Sequence, residues 1–160
     1  MKYRIGYGYD VHQLQENETL ILGGVNIPFE KGLLGHSDAD VLIHAIIDAI
    51  LGALALGDIG KLFPDSAIEY RNIDSRLLLR QVASIMTEKG FQINNLDATI
   101  CAQRPKMRPY IDLMRDHLAS DLKTYIENIS VKATTEEQLG ISGSEAGMTA
   151  QAVVLLVSED

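Results

Sequence analysis

Apolar and polar positions alternate along residues 3–12, where Tyr3, Ile5, Tyr7, Tyr9 and Val11 are separated by small or polar residues. A period of two predicts a strand. Leu20–Leu22 and Val25–Ile27 flank Gly23-Gly24 and predict a short hairpin closed by that pair. Residues 30–37 mix polarities around Gly32 and Gly35 and read as a loop. A helix is then predicted from Ser37 or Asp38 to about Leu56, stopping at Gly57. Val41, Leu42, Ile43, Ile46, Ile47, Ile50, Leu51 and Leu54 make it apolar almost all round, so it should be mostly buried. A second helix starts at Asp74 or Ser75, carries the stripe Leu78, Val82, Ile85 and Met86, and stops at Gly90. Leu96, Ala98, Ile100 and Ala102 mark a strand within residues 91–103, bulged near Asn94-Asn95. A third helix has Pro109 in its first turn and the stripe Met107, Ile111, Met114, Leu118 and Leu122. Residues 129–133 and 148–157 predict two more strands, the last apolar on both faces as a central strand would be.

This mixture of helices and strands in 160 residues predicts a single α/β or α+β domain spanning residues 1–160. The net charge of −8 argues against nucleic acid as a partner, because phosphate backbones are met by clustered Lys and Arg. A small phosphorylated ligand stays possible if its charge is met locally. No run of about 18 uncharged apolar residues is present, so no membrane span is expected. One cysteine, Cys101, cannot pair within the chain, and the Met1–Gly6 segment lacks the apolar core of a signal peptide. A reducing, cytoplasmic setting is the expectation.

Candidate chemistry concentrates in four segments. On the first helix Asp40, His44 and Asp48 lie four apart and share one face. Polar groups on so apolar a helix are costly unless paired, metal-bound or facing a cleft. In the first strand Asp10 and His12 are two apart and point the same way. Two imidazoles and a carboxylate with one open position form a catalytic zinc pattern, and His44 is the natural third ligand. Asp48 is then expected to stand behind the ligand set as a supporting partner or to orient His44. On spacing alone, a strand-end pair with a solvated carboxylate is the plainer account of Asp10 and His12. Arg104, Lys106 and Arg108 bring three of the chain's 14 basic residues to a strand–helix junction, a place where backbone N–H groups and a Lys can hold phosphate. Lys132-Ala133-Thr134-Thr135-Glu136-Glu137 repeats that placement at a second strand end, where a capping box of Thr134 with Glu137 is the plainer explanation. Gly6-x-Gly8 lacks the third glycine and the following helix of a dinucleotide fingerprint. Cys101 reads as core, His117 as surface, and His36 as a loop residue able to serve a site.

Five blocks stand in order across essentially the whole chain. They are Asp10-Val11-His12, His36-Ser37-Asp38-Ala39-Asp40-Val41 with His44-Ala45, Gly57-Asp58-Ile59-Gly60-Lys61-Leu62-Phe63-Pro64-Asp65, Arg104-Pro105-Lys106-Met107, and Val131-Lys132-Ala133-Thr134-Thr135. Together they closely resemble the 2-C-methyl-D-erythritol 2,4-cyclodiphosphate synthase family of non-mevalonate isoprenoid biosynthesis. The resemblance implies a lyase that cyclises 4-diphosphocytidyl-2-C-methyl-D-erythritol 2-phosphate with loss of CMP. It implies a mixed four-stranded sheet with helices on one side, a small N-terminal hairpin, and three sheets packed about a homotrimer axis, with active sites between adjacent subunits. It places Zn²⁺ on Asp10, His12 and His44, and a bridging Mg²⁺ or Mn²⁺ partly on Glu137. Ala102, Lys106, Met107, Arg108, Ala133, Thr134 and Thr135 would line the cytidine and phosphate pocket. Asp58 and Gly60 would meet the ribose; His36, Ser37 and Asp65 would meet the methylerythritol part. His36 and Thr135 would carry catalytic roles. Where family members often have Arg and Glu, this chain has Ser144 and Gln151, so the isoprenoid diphosphate that such an Arg can hold on the trimer axis is not implied here. A zinc-dependent phosphoesterase and a non-catalytic metal- or nucleotide-binding oligomer are the rival readings.

Overall fold

The computed structural model describes residues 1–159; Asp160, the last residue of the expected domain, lies outside the described residues. The chain forms β1 (Lys2–Glu16), β2 (Leu20–Leu22), β3 (Val25–Ile27), β4 (Lys31–Leu34), α1 (Val41–Ala53), α2 (Ile59–Leu62), α3 (Ser75–Glu88), β5 (Gln92–Cys101), α4 (Arg108–Leu122), β6 (Ile129–Thr134), α5 (Gly140–Gly143) and β7 (Gly147–Ser158). Five strands make one mixed sheet in the order β4-β1-β7-β5-β6, and β2 and β3 make a separate hairpin. Only the β5–β6 pair is parallel. The doubly apolar β7 is the central strand, as its composition predicts. The irregularity expected near Asn94-Asn95 is a register shift between Ile93 and Asn95.

The sheet has five strands where four were expected. The extra one lies within the segment read as a loop: Lys31–Leu34 pairs with Gln13–Glu16 because β1 runs on past residue 12 and offers its edge. The short β4 carries little apolar signal, and its Gly32 passes so close to the Glu18 backbone that a Cβ would lie 2.3 Å from it. Helix α1 is also shorter than its pattern. Ala39 at φ 56° and Ala55 at φ 57° both leave helical space, so the helix runs from Val41 to Ala53 with Asp40 as its N-cap.

Packing of α1 on β1 organises the molecule. Gly6 and Gly8 sit directly under the helix, where a Cβ would come within 1.8 Å of the carbonyl oxygens of Ala49 and Ala45. The absence of side chains, not a nucleotide loop, is the reason for this Gly-x-Gly. Even-numbered residues of β1 therefore face α1, and Asp10 and His12 continue that face toward the carboxyl end of the strand. Odd-numbered residues face away. Tyr3, Ile5, Tyr7, Tyr9 and Val11, with Val153 of β7, stay exposed on the side of the sheet opposite α1.

Candidate active site

Two elements bring the first cluster together. β1 supplies Asp10 and His12, and α1 supplies His44 from one turn inside its start. Asp10 Oδ2 lies 2.9 Å from His12 Nε2 and 3.1 Å from His44 Nδ1, and the two ring nitrogens are 3.2 Å apart. The ligand atoms of these residues all fall within 4.8 Å of one another, and among the described residues no other such His/Cys/Asp/Glu group forms. On the far side of its ring, His12 Nδ1 is 3.0 Å from the Leu34 carbonyl. A carbonyl only accepts, so Nδ1 carries the proton and Nε2 presents a lone pair toward Asp10. Burial by itself would raise the Asp10 carboxyl, but hydrogen bonds and charge from His12 and His44 in their protonated forms outweigh it and hold the group below the usual carboxylate range. Burial likewise works against protonated His12, and the neighbouring Asp10 wins, raising it. A carboxylate and two imidazoles so converged are a donor set suited to Zn²⁺, with an open side toward a pocket.

That pocket, of about 260 Å³, is lined by Asp10, His12 and His44 together with His36, Ser37, Gly60 and Asp65. His36 donates from Nε2 to the Ala67 carbonyl at 3.2 Å, which holds its ring on the pocket wall. Asp58 does not line this pocket; its side chain caps α2 by accepting from Lys61 N. Phe63 and Tyr70, in edge-on ring contact, close the apolar wall. Phe63 stands in a block of the resemblance, which implies no role for it, and Tyr70 does not stand out in the sequence, because a pocket wall and a core wall have the same composition.

A second hollow, of about 370 Å³, collects Ala102, Lys106, Met107, Arg108, Ala133, Thr134 and Thr135. All seven residues expected around a cytidine nucleotide thus share one cavity at the carboxyl ends of the parallel pair β5 and β6. Asp10 and Ile100 both pair with Ala150, so the two hollows open at one end of the sheet.

Several expectations need correction. Asp48 does not orient His44; it accepts the Ile59 N–H at 2.7 Å and fixes the entry to α2. His44 Nε2 instead meets Ser75 Oγ at 2.9 Å and Ser37 Oγ at 3.1 Å. Arg104 turns away from the second hollow to Glu145 and Glu30, at 2.6 and 2.9 Å, over the Phe29 ring. Thr134 and Glu137 form no capping box: Thr134 Oγ1 bonds the Thr135 carbonyl, and Glu137, at φ 52°, is exposed and outside the Asp-His-His cluster. His117 is half-buried, with Nδ1 3.1 Å from the Gly23 carbonyl. Cys101 is core, as expected.

Fold and site define a class: a mixed-sheet α/β protein with an Asp-His-His cluster able to hold a cation and a basic hollow at the carboxyl ends of its parallel strands. The chain belongs to the YgbB family, whose model matches residues 3–157. A 2-C-methyl-D-erythritol 2,4-cyclodiphosphate synthase of Finegoldia magna is 63% identical over 157 residues, covering 98% of this chain and 99% of that relative. One of Geobacter sulfurreducens is 63% identical over 153 residues, covering 96% and 98%. Among solved structures, the bifunctional IspDF from Campylobacter jejuni superposes with a TM-score of 0.95 at 42% identity; the match covers 99% of this chain and only 43% of that one. A Plasmodium falciparum IspF in complex with CDP superposes with a TM-score of 0.87 at 36% identity, covering 99% and 97%.

Proposed function

We propose that this chain, as one domain, converts 4-diphosphocytidyl-2-C-methyl-D-erythritol 2-phosphate to 2-C-methyl-D-erythritol 2,4-cyclodiphosphate and CMP, in the cytoplasm. The observation that carries the reading is the convergence of Asp10, His12 and His44 beside the pocket wall of His36, Ser37 and Asp65. The relatives named for this reaction, at 63% identity over nearly their whole length, support it. So does the CDP held by a structural neighbour.

The reaction joins two anions on one substrate: an oxygen of the 2-phosphate attacks the β-phosphorus, and CMP leaves. Repulsion must be offset and the groups held in line. Zn²⁺ on Asp10, His12 and His44, and Mg²⁺ or Mn²⁺ held partly by Glu137, would supply Lewis acidity and charge neutralisation. Lys106 and the backbone N–H groups around Ala102–Arg108 and Ala133–Thr135 hold the nucleotide end, with Thr135 at the reacting phosphates. Ser37, Gly60 and Asp65 position the sugar-derived end, Asp58 contacts the ribose, and His36 serves as a catalytic group from the pocket wall. No side chain becomes a covalent nucleophile.

We infer a homotrimer in which the first hollow of one subunit meets the second hollow of its neighbour. The two hollows share no lining residue within one chain, and the row Tyr3, Ile5, Tyr7, Tyr9, Val11 and Val153 offers an uncovered apolar sheet face for assembly. The test is product analysis with the cytidyl substrate, Zn²⁺ and Mg²⁺. A cyclic diphosphate with equimolar CMP is expected. Linear hydrolysis products would replace the synthase reading with a phosphoesterase, and no CMP release would replace it with a binding protein.

A further inference from the structure

The protonation pattern of His44 is set from outside the candidate metal cluster. Ser75, the first residue of α3, has no solvent exposure. Its Oγ lies between His44 Nε2, at 2.9 Å, and Asp38 Oδ1, to which it donates through a very short contact. Asp38 accepts on every contact it makes there: from the Ser75 hydroxyl, from Ser75 N at 2.9 Å and from Asp40 N at 3.1 Å. A hydroxyl has one proton. With that proton given to Asp38, Ser75 Oγ can only accept from His44, so Nε2 carries the hydrogen and Nδ1 keeps its lone pair.

The opposite tautomer has its own acceptor close by. Asp10 Oδ2 lies 3.1 Å from His44 Nδ1. In the absence of any other influence, an Nδ1–H would donate to that carboxylate in a charge-assisted bond and take up the lone pair a cation needs. Ser37 Oγ, 3.1 Å from Nε2, does not decide between the tautomers, because its hydroxyl can donate or accept. Only the Asp38–Ser75 arrangement has a fixed direction.

We propose that Asp38 and Ser75 are positioning residues which, as a directional relay from α1's preceding loop through the start of α3, hold His44 in the Nε2–H tautomer and keep Nδ1 open for a divalent cation. His12 has the mirror-image device in the Leu34 carbonyl on its Nδ1, so two different acceptors turn two different ring nitrogens toward one point. The proposal rests on the reading of Asp10, His12 and His44 as a metal site. It adds two residues outside the ligand set and names what each does. Asp38→Asn carries the sharpest consequence. Its amide can donate to Ser75 Oγ, which frees the hydroxyl to donate to His44 Nε2 and reverses the relay.

Imidazole ¹⁵N spectra of the metal-free protein near pH 8, above the ordinary histidine range, read the tautomer directly, with His44 assigned by its absence in His44→Gln. The parent is expected to show His44 protonated at Nε2. Asp38→Asn is expected to move that proton to Nδ1, and Ser75→Ala to give a mixture of the two. In parallel, zinc affinity measured by chelator competition is expected to fall roughly 10- to 100-fold in both variants and to return toward the parent in Ser75→Thr, which keeps the hydroxyl. A parent His44 protonated at Nδ1, an unchanged tautomer in Asp38→Asn, or unchanged zinc affinity in both variants would overturn the relay. A parent that shows the expected tautomers yet binds no zinc would leave the relay standing and remove the metal reading instead.

Discussion

At Asp40 a carboxylate with no solvent exposure accepts three backbone N–H bonds, from Gly23, Gly24 and Ile43. One residue thus caps α1 and pins the β2–β3 turn against it. Burial, and then the charge of Asp38, push this carboxyl up to about 6 despite those bonds. A raised folded value means that the native chain holds the proton more tightly than the unfolded chain. The resulting stabilisation is full below the unfolded value of about 4 and is lost as pH rises through about 6. Asp40→Ala is expected to cost about 2 kcal/mol at pH 5, from a lost cap and unsatisfied N–H groups. It should also remove the Asp40 share of the fall in stability between about pH 4 and pH 6, read by denaturant unfolding across that range. At His44 the expectation is different: His44→Ala should lose zinc by elemental analysis while the fold remains, because the ring contributes a ligand atom at the edge of a helix otherwise buried by aliphatic residues. Full zinc occupancy would remove His44 from the site.

The α1–β1 crossing is the element that builds the centre. With Gly6 and Gly8 under Ala49 and Ala45, the helix comes close enough for His44 to reach Asp10. Gly8→Ala places a methyl against backbone that cannot swing aside. It is expected to destabilise by about 3 kcal/mol or more and to weaken zinc binding together with stability, as the helix is pushed from the strand. Normal melting and normal zinc affinity in this variant would contradict the crossing as the element that sets the site. At the other hollow, Lys106→Ala is expected to weaken CMP binding roughly ten- to hundredfold without changing zinc content, by calorimetry and metal analysis. The alternation of β1 and the apolar pattern of α1 are plain in the sequence. Their contact is not, because two glycines in a strand pattern do not say which element crosses above them, and only the partner helix gives them a meaning.

For the whole molecule, the sheet has helices on one face and an uncovered apolar face on the other. Ile5 and Tyr7 remain 72% and 61% exposed, far more than isolated surface residues would require of a strand with alternating character. If the proposed trimer forms through this face, Tyr7→Asp is expected to break it by sedimentation and to abolish cyclisation, while zinc stays bound by the Asp10, His12 and His44 of one chain. A Tyr7→Asp trimer with full activity would place the interface elsewhere. The strong local signals in the chain sufficed for the buried helix, the central strand, the strand-end positions of both hollows, and Asp10, His12 and His44 as a candidate ligand set. Those follow from periodicity and residue chemistry, which act over a few neighbours. Tertiary structure alone decided that β4 joins the sheet, that Asp48 serves α2 and not His44, that Arg104 is drawn to Glu30 and Glu145, and that Ser75 stands behind His44. Each of these depends on which groups, 11 to 74 residues apart in the chain, meet once the core closes. A hydrogen-bond partner at that range leaves no trace in local spacing.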